Sequence, residues 1–321
     1  MKWYELLMIA VLGVFLNTNG YAFETEAVQE VEISTVVQPP HLERITVETQ
    51  VVPFKINAKY ALVIDQTTGE ILYAKGADTI VPIASITKLM TAVVTLDASL
   101  DLEETIQISQ EEVNATMLRG RVTSKSLPMG ATLSRAELLH VTLMNSQNRA
   151  AVALARTYPG GTEAFVAAMN RKAEMLGMKD TNFTDPAGLY NTNVSSAIDL
   201  VILLRHAEDY VLIRDFSTSE SFALSMYSKK KRRPHLVKFG TTNRLVRNDS
   251  WDIVVQKTGY IRDAGHCVAM TARTVTNTIS IILLNTTNNT ARANDAIRIK
   301  HYIETGEILQ PMKAKRKKRR A

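Results

Sequence analysis

The sequence predicts an α+β protein: one antiparallel sheet built from both ends of the chain, flanked by helices, with a helical lobe inserted between them. Three observations carry this. A strand–turn–strand pattern stands early, at Tyr60–Asp65, Thr67-Thr68-Gly69 and residues 71–74. Three further β patterns stand late, at residues 253–258, 266–274 and 278–284. Between the two groups, apolar residues recur at helical spacing. Strands from the two ends can pair into one sheet with a terminal helix on a face, which leaves a cleft against the helical lobe.

In chain order, the first feature is an apolar run at residues 6–16, between Lys2 and Gly20-Tyr21-Ala22. It reads as a secretory signal, residues 1–22, cleaved after Ala22. The run falls short of the roughly 20 apolar residues of a membrane span. An uncleaved anchor is the alternative, and no nearby cysteine offers a lipid site. Residues 23–54 are polar, contain Pro39-Pro40 and lack periodicity, as a linker does. After the hairpin, a helix starts at Ser85, with Ile86, Leu89, Met90, Val93 and Val94 on its buried side. Residues 105–109 read as extended and 120–128 as a loop.

Residues 133–144 form a helix opened by Ser134, with Glu137 at capping-box spacing. Asn145-Ser146-Gln147-Asn148 breaks it, and residues 149–158 form the next helix, ended by Pro159-Gly160-Gly161. Thr162 caps a third, which Gly177 closes. Asp185-Pro186-Ala187-Gly188 is a turn. Ser195 or Ser196 caps a fourth helix holding Leu200, Val201, Leu203 and Leu204. Residues 217–247 carry no clear pattern, and the basic run 229–233 within them reads as a solvated loop. Residues 291–304 form a closing helix. The folded domain is therefore placed at 55–310, its helical lobe at about 97–245, and a basic tail at 311–321.

Hydrophobic residues make up 45% of the chain and charged residues 22%, enough for a sizeable core. The net charge is +6, but the last nine residues carry seven positive charges; taking seven from +6 leaves −1. The folded part is near neutral, which argues against nucleic acid as a partner. The tail reads as a solubilising end or as a binder of acidic envelope polymers. Cys267 is the single cysteine, so no internal disulfide exists, and it reads as a small buried hydrophobe. No histidine pair has ligand spacing, so neither a metal nor a cofactor is expected.

Ser85-Ile86-Thr87-Lys88 is the chemically suggestive stretch. Three residues apart on a helix, a serine and a lysine share a face. The serine sits where backbone N–H groups are unsatisfied, at the positive end of the helix dipole. Alone, the spacing is weak: Ser85 could be a plain cap and Lys88 a solvated residue. Ser228-Lys229-Lys230-Lys231 fits the same pattern. Two later motifs separate them: Ser146-Gln147-Asn148 in a helix break, and Lys257-Thr258-Gly259 ending a strand. The three together are a known set of acyl-serine enzymes.

The chemistry accounts for the residue types. A serine hydroxyl needs an adjacent base. Lys88 can serve if burial and a second cation, Lys257, lower its pKa. Ser146, between the lysines, can relay a proton to the leaving amine, and Asn148 can hold a substrate backbone group. Lys257 and Thr258 can bind a carboxylate, and Gly259 lets an extended peptide approach the strand. The backbone N–H groups of Ser85 and Tyr260 can form an oxyanion hole. No motif sets His140, His206 or His266 beside Ser85, which disfavours a Ser-His-Asp triad.

On these motifs the chain resembles the low-molecular-mass penicillin-binding proteins, the D-alanyl-D-alanine carboxypeptidase/endopeptidase family. Residues 82–92, 143–151, Tyr158-Pro159-Gly160-Gly161, Lys257-Thr258-Gly259 and Ala264-Gly265-His266-Cys267 carry the resemblance, over about residues 55–310. It implies a β-lactamase/transpeptidase-like fold, a periplasmic location and peptidoglycan peptides as substrate. It also implies an acyl-serine intermediate that β-lactam antibiotics trap. Carboxypeptidase relatives add a β-sandwich domain and an amphipathic C-terminal helix. Here the chain ends soon after the closing helix, and residues 285–291 offer no match to an arginine those relatives use. Both points favour the endopeptidase branch, which cleaves D-alanyl–meso-diaminopimelate cross-links. A carboxypeptidase acting on terminal D-alanine is the nearest alternative. A β-lactamase, an inactive wall-binding protein and a secreted nucleic-acid binder rank below it. The β-lactamase lacks a visible water-activating carboxylate.

Overall fold

The computed structural model describes residues 53–117, 127–228 and 233–309. The expected signal, nearly all of the linker, most of the loop at 120–128, Lys229 to Arg232 of the basic run and the basic tail lie outside the described residues. The first half holds β1 (Tyr60–Asp65), β2 (Ile71–Lys75), β3 (Val81–Pro82), α1 (Lys88–Asp97), β4 (Thr105–Gln107), α2 (Gln110–Ala115), β5 (Thr132–Ser134), α3 (Arg135–Met144), α4 (Asn148–Arg156) and α5 (Gly161–Met175). The second holds β6 (Val194–Ser195), α6 (Ala197–Glu208), α7 (Val211–Thr218), β7 (Ser221–Ser228), β8 (Arg233–Gly240), β9 (Asp252–Ile261), β10 (Gly265–Arg273), β11 (Thr278–Thr286) and α8 (Asn289–Thr305).

The main sheet runs β2-β1-β11-β10-β9, antiparallel throughout, so strands from both ends meet at the β1–β11 pair, as expected. Tyr60 faces Leu284 and Asp65 faces Ile279 across it. β1 and β11 are near-continuous apolar runs because both faces of the sheet are covered. α8 packs on one face, where Val63, Met270, Ile281 and Leu283 meet Ala293, Ala296 and Ile299. α6 packs on the other. α1 lies among α3, α4, α5 and α6. It is buried on all sides from Lys88 to Thr95, not on one stripe as its apolar spacing predicts. A helix enclosed by other helices needs no polar face.

The capping box of Ser134 with Glu137 is present, and Ser196 caps α6. Several expectations change. Gly160, with φ of 86°, rather than Thr162, is the N-cap of α5. β9 does not stop at Thr258 but continues through Gly259 and Tyr260 to Ile261. The patternless stretch 217–247 contains a hairpin, β7 with β8, and Arg233, the last residue of the basic run, begins β8. The alternation of Phe222, Leu224 and Met226 was its signal; Leu224 and Met226 are buried. Pro234 masked the second strand, yet a two-stranded ribbon tolerates proline because each strand has a free edge. Among the described residues no helix is long and apolar enough to cross a membrane.

Candidate active site

The serine turn is built differently from a plain helix start. Residues Ala84–Thr87 form a 3-10 turn, and α1 begins only at Lys88. In a 3-10 turn, residues i and i+3 eclipse. Ser85 and Lys88 are therefore stacked, and Lys88 Nζ donates to Ser85 Oγ at 2.9 Å. Ala84 adopts φ of 48°, and Thr87 Oγ1 donates to the Ala84 carbonyl at 2.8 Å. A non-glycine residue held in this left-handed region costs roughly 1–3 kcal/mol, and such strain clusters at functional sites.

Lys88 is fully buried while Ser85 is half-buried. The ammonium also donates to Asn148 Oδ1 at 2.8 Å and to the Ala187 carbonyl. Burial lowers its pKa from 10.5 to about 7, against the opposing pull of Asp185. Burial and Lys257 were both expected to lower it. Burial does so, but the repulsion between the two lysines falls on Lys257, which is held well below its ordinary value by burial first, then by Lys88 and Arg292.

Ser146 and Asn148 come from the break between α3 and α4. The Val141 carbonyl accepts from both Asn145 N–H (3.2 Å) and Gln147 N–H (3.1 Å), so the chain loops out at Ser146, whose φ is 62°. Asn145 Nδ2 donates to the Gly240 carbonyl at 2.6 Å, which ties this break to the end of β8. Asn148 uses its side-chain oxygen on Lys88, so only its NH2 is left to face a substrate. Among the described residues, the Ser146 hydroxyl bonds neither lysine.

The third motif lies inside β9, the outermost strand of the sheet. Lys257 is fully buried and donates to the Thr258 carbonyl at 2.9 Å. Thr258 and Thr242 hydroxyls share a hydrogen bond of 2.6 Å. Gly259 faces the serine turn: a Cβ there would lie 2.8 Å from the Ile83 carbonyl and 3.0 Å from the Ser85 nitrogen. Its missing side chain thus serves the approach of β9 to the turn of this same chain, where the sequence suggested room for a peptide. Tyr260 is 58% exposed and stacks on His266, ring centres 4.2 Å apart. His140 packs between Phe216 and Phe222, and His206 beside Tyr210.

Arg292 was missed. It is the first residue beyond the stretch 285–291 in which an arginine was sought. It reaches back from α8 to donate to the Cys267 carbonyl (3.1 Å) and the Thr242 carbonyl (3.5 Å). It is buried, and burial lowers its pKa to about 10. Among the described residues, no carboxylate forms an ion pair with Lys88, Lys257 or Arg292.

A sheet covered on both faces, a serine stacked on a buried lysine, and further cations on the adjoining strand define a class: serine acyl-transfer enzymes of the penicillin-interacting fold. The match is specific. Residues 46–288 fit the model of the D-alanyl-D-alanine carboxypeptidase family, peptidase S11, and the chain belongs to that family. The chain is 41% identical over 249 residues to a D-alanyl-D-alanine endopeptidase of Pseudomonas aeruginosa, covering 77% of each chain. It is 39% identical over 251 residues to one of Escherichia coli, covering 78% of each. The crystal structure of the Streptomyces K15 DD-transpeptidase superposes with a TM-score of 0.71 at 26% identity, over 78% of this chain and 98% of that one. Penicillin-binding protein D2 from Listeria monocytogenes, in its ampicillin-bound form, gives 0.64 at 26% identity, over 77% and 97%.

Two predictions follow from the geometry. Gly259→Ala forces β9 away from the serine turn, so acylation by a fluorescent penicillin should fall about a hundredfold with the circular dichroism spectrum unchanged. Unchanged acylation would refute this role of the close approach. The second concerns stability. Lys88 has a folded pKa of about 7 against 10.5 unfolded. Between these values the unfolded chain binds more protons, so this group makes stability rise with pH. Lys88→Met should raise the melting temperature at pH 7 and flatten its increase between pH 7 and 10, read by thermal unfolding across pH.

Proposed function

We propose that the protein is a peptidoglycan DD-endopeptidase that cleaves D-alanyl–meso-diaminopimelate cross-links through an acyl-serine. The observation that carries this is a fully buried lysine hydrogen-bonded to a half-exposed serine hydroxyl. Neutral Lys88 takes the Ser85 proton as Oγ bonds the D-alanyl carbonyl carbon. The negative oxygen so formed lies between the N–H groups of Ser85 and Tyr260. The C–N bond then breaks, and Ser146 passes the proton from Lys88 to the leaving amine. Water releases the acyl group and restores Ser85. Asn148 holds a substrate backbone group through its NH2. Lys257 and Thr258, with Arg292 behind them, face the substrate carboxylate.

The endopeptidase reading is supported by the names of relatives at 39–41% identity. A carboxypeptidase acting on terminal D-alanine is the second reading, supported by the name of the family whose model matches residues 46–288. A β-lactamase is disfavoured because the nearby carboxylate, Asp185, is occupied by four N–H donors and is not free to activate water. β-Lactams serve as covalent inhibitors, a reading supported by the ampicillin-bound form of a structural relative. The mature chain is periplasmic, released by cleavage of residues 1–22. The domain at 55–310 does the chemistry, and the tail at 311–321 contacts acidic envelope polymers or keeps the chain in solution.

Ser85→Ala should abolish labelling by a fluorescent penicillin, and Ser228→Ala should leave it intact; labelling that survives Ser85→Ala would overturn the assignment. Purified sacculi separate the two peptidase readings. Conversion of cross-linked muropeptide dimers to tetrapeptide monomers is expected. Loss of only the terminal D-alanine from pentapeptides would select the carboxypeptidase.

A further inference from the structure

The loop between α5 and β6 contains none of the three motifs, yet it supplies a contact to Lys88. The Ala187 carbonyl accepts from Lys88 Nζ and, at 3.4 Å, from Ser85 Oγ. This carbonyl is held by Asp185. The Asp185 side chain is buried and accepts from the N–H groups of Ala187 (2.7 Å), Leu189 (3.0 Å) and Tyr190 (3.1 Å) and from Asn193 Nδ2. Asn193 in turn accepts from Ile83 N–H through its carbonyl, at 3.1 Å. Its side-chain oxygen accepts from the N–H groups of Thr184 (3.1 Å) and Asp185 (3.3 Å). One carboxylate thus fixes both the acceptor above Lys88 and, through Asn193, the strand that enters the serine turn. Gly188 seals the contact, since a Cβ there would stand 2.0 Å from the Ala84 carbonyl.

We infer that Asp185 is a positioning residue for the Ser85–Lys88 pair: its carboxylate clamps residues 185–193 so that the Ala187 carbonyl meets Lys88, and its charge faces that lysine. A clamp built only for shape could use a neutral side chain. A carboxylate adds a negative field that favours the protonated lysine, the form present just after the serine has lost its proton. The other groups around Lys88 are Ser85 from the serine turn, Asn148 from α4 and Lys257 from β9, with Arg292 of α8 beyond Lys257. Against these positive charges, Asp185 supplies the charge of opposite sign.

The inference rests on Ser85 being the acylated residue, which the Ser85→Ala labelling tests separately. The measurement is the rate of acylation by a fluorescent penicillin from pH 5 to 9, in full-length protein. The wild-type rate should rise through about pH 7, with the loss of the Lys88 proton. In Asp185→Asn the rise should move to lower pH by about one unit, as an opposite charge is removed, and the plateau should fall about tenfold. Asp185→Glu keeps the charge but shifts the loop, so the midpoint should stay and the plateau should fall. A wild-type midpoint in Asp185→Asn overturns the electrostatic role, and wild-type plateaus in both variants overturn the clamp. If Asp185→Asn does not fold, Asn193→Ala removes one donor and leaves the charge. A plateau lowered severalfold at an unmoved midpoint then supports the clamp, and wild-type kinetics overturn it.

Discussion

The structure depends on keeping one lysine out of water while leaving its neighbouring serine within reach of a substrate. An ammonium loses its hydration when buried, and the protein answers by favouring the neutral amine and by giving the nitrogen three polar partners. Those partners come from three separate places: the serine turn, the start of α4 and the loop at Ala187. Each carrier is fixed by something else. The 3-10 turn eclipses Ser85 with Lys88, the looped-out Ser146 aims Asn148, and Asp185 holds Ala187. The enclosed position of α1 is the global counterpart of this local demand, since a helix carrying a buried lysine at its first residue must be covered on every side.

The second constraint is contact between the sheet edge and the serine turn. β9 is the last strand of the sheet, so one of its edges is not paired with another strand of that sheet. Gly259 lets that edge come against the Ser85 nitrogen. The same close approach sets two buried cations, Lys257 and Lys88, within each other's field. The Thr242 bridge from Thr258 to Arg292 adds a third positive group from the far face of the sheet. Shape and charge therefore have one origin: what aligns the strand with the nucleophile also concentrates positive charge where a substrate carboxylate would lie.

The fold class and the three motifs were legible because each is carried by a short string. Short apolar, β-branched runs bounded by turn residues mark β1, β10 and β11, and a capping box marks α3. Ser85 and Lys88, or Lys257 to Gly259, need no distant residue to be noticed. What stayed hidden is what depends on long-range contact. Ala187 meets Lys88 across 99 positions of sequence and does so through a backbone carbonyl, which no residue type signals. Asp185 looked like an ordinary turn former because its partners are backbone N–H groups. Arg292 bonds backbone carbonyls 25 and 50 positions away, so its place on a closing helix gave no hint. Gly259 was read as ending a strand and giving room to a peptide, whereas β9 runs on through it and the backbone of the serine turn packs against it. The β7–β8 hairpin was obscured by charge and proline at its centre, although its alternation was present.

The free enzyme, so built, carries an imbalance. Lys88, Lys257 and Arg292 are buried, and among the described residues none has an ion-paired carboxylate. Burial is the largest cause that depresses the proton affinity of each, and neighbouring cations add to it at Lys257 and Arg292, so the cluster is held in a less charged state than the same side chains would have in water. Such a site is unfavourable for folding and favourable for an anion. A substrate carboxylate entering beside Lys257 would raise the proton affinity of the cations nearest to it and leave Lys88 to work as the base. The division of labour between two chemically identical lysines then follows from their neighbours. Lys88 lies against a serine, an amide oxygen and a carbonyl, while Lys257 has the Thr258 carbonyl and two other cations nearby. The lysine with neutral acceptors suits proton transfer, and the lysine without a counter-ion suits charge recognition.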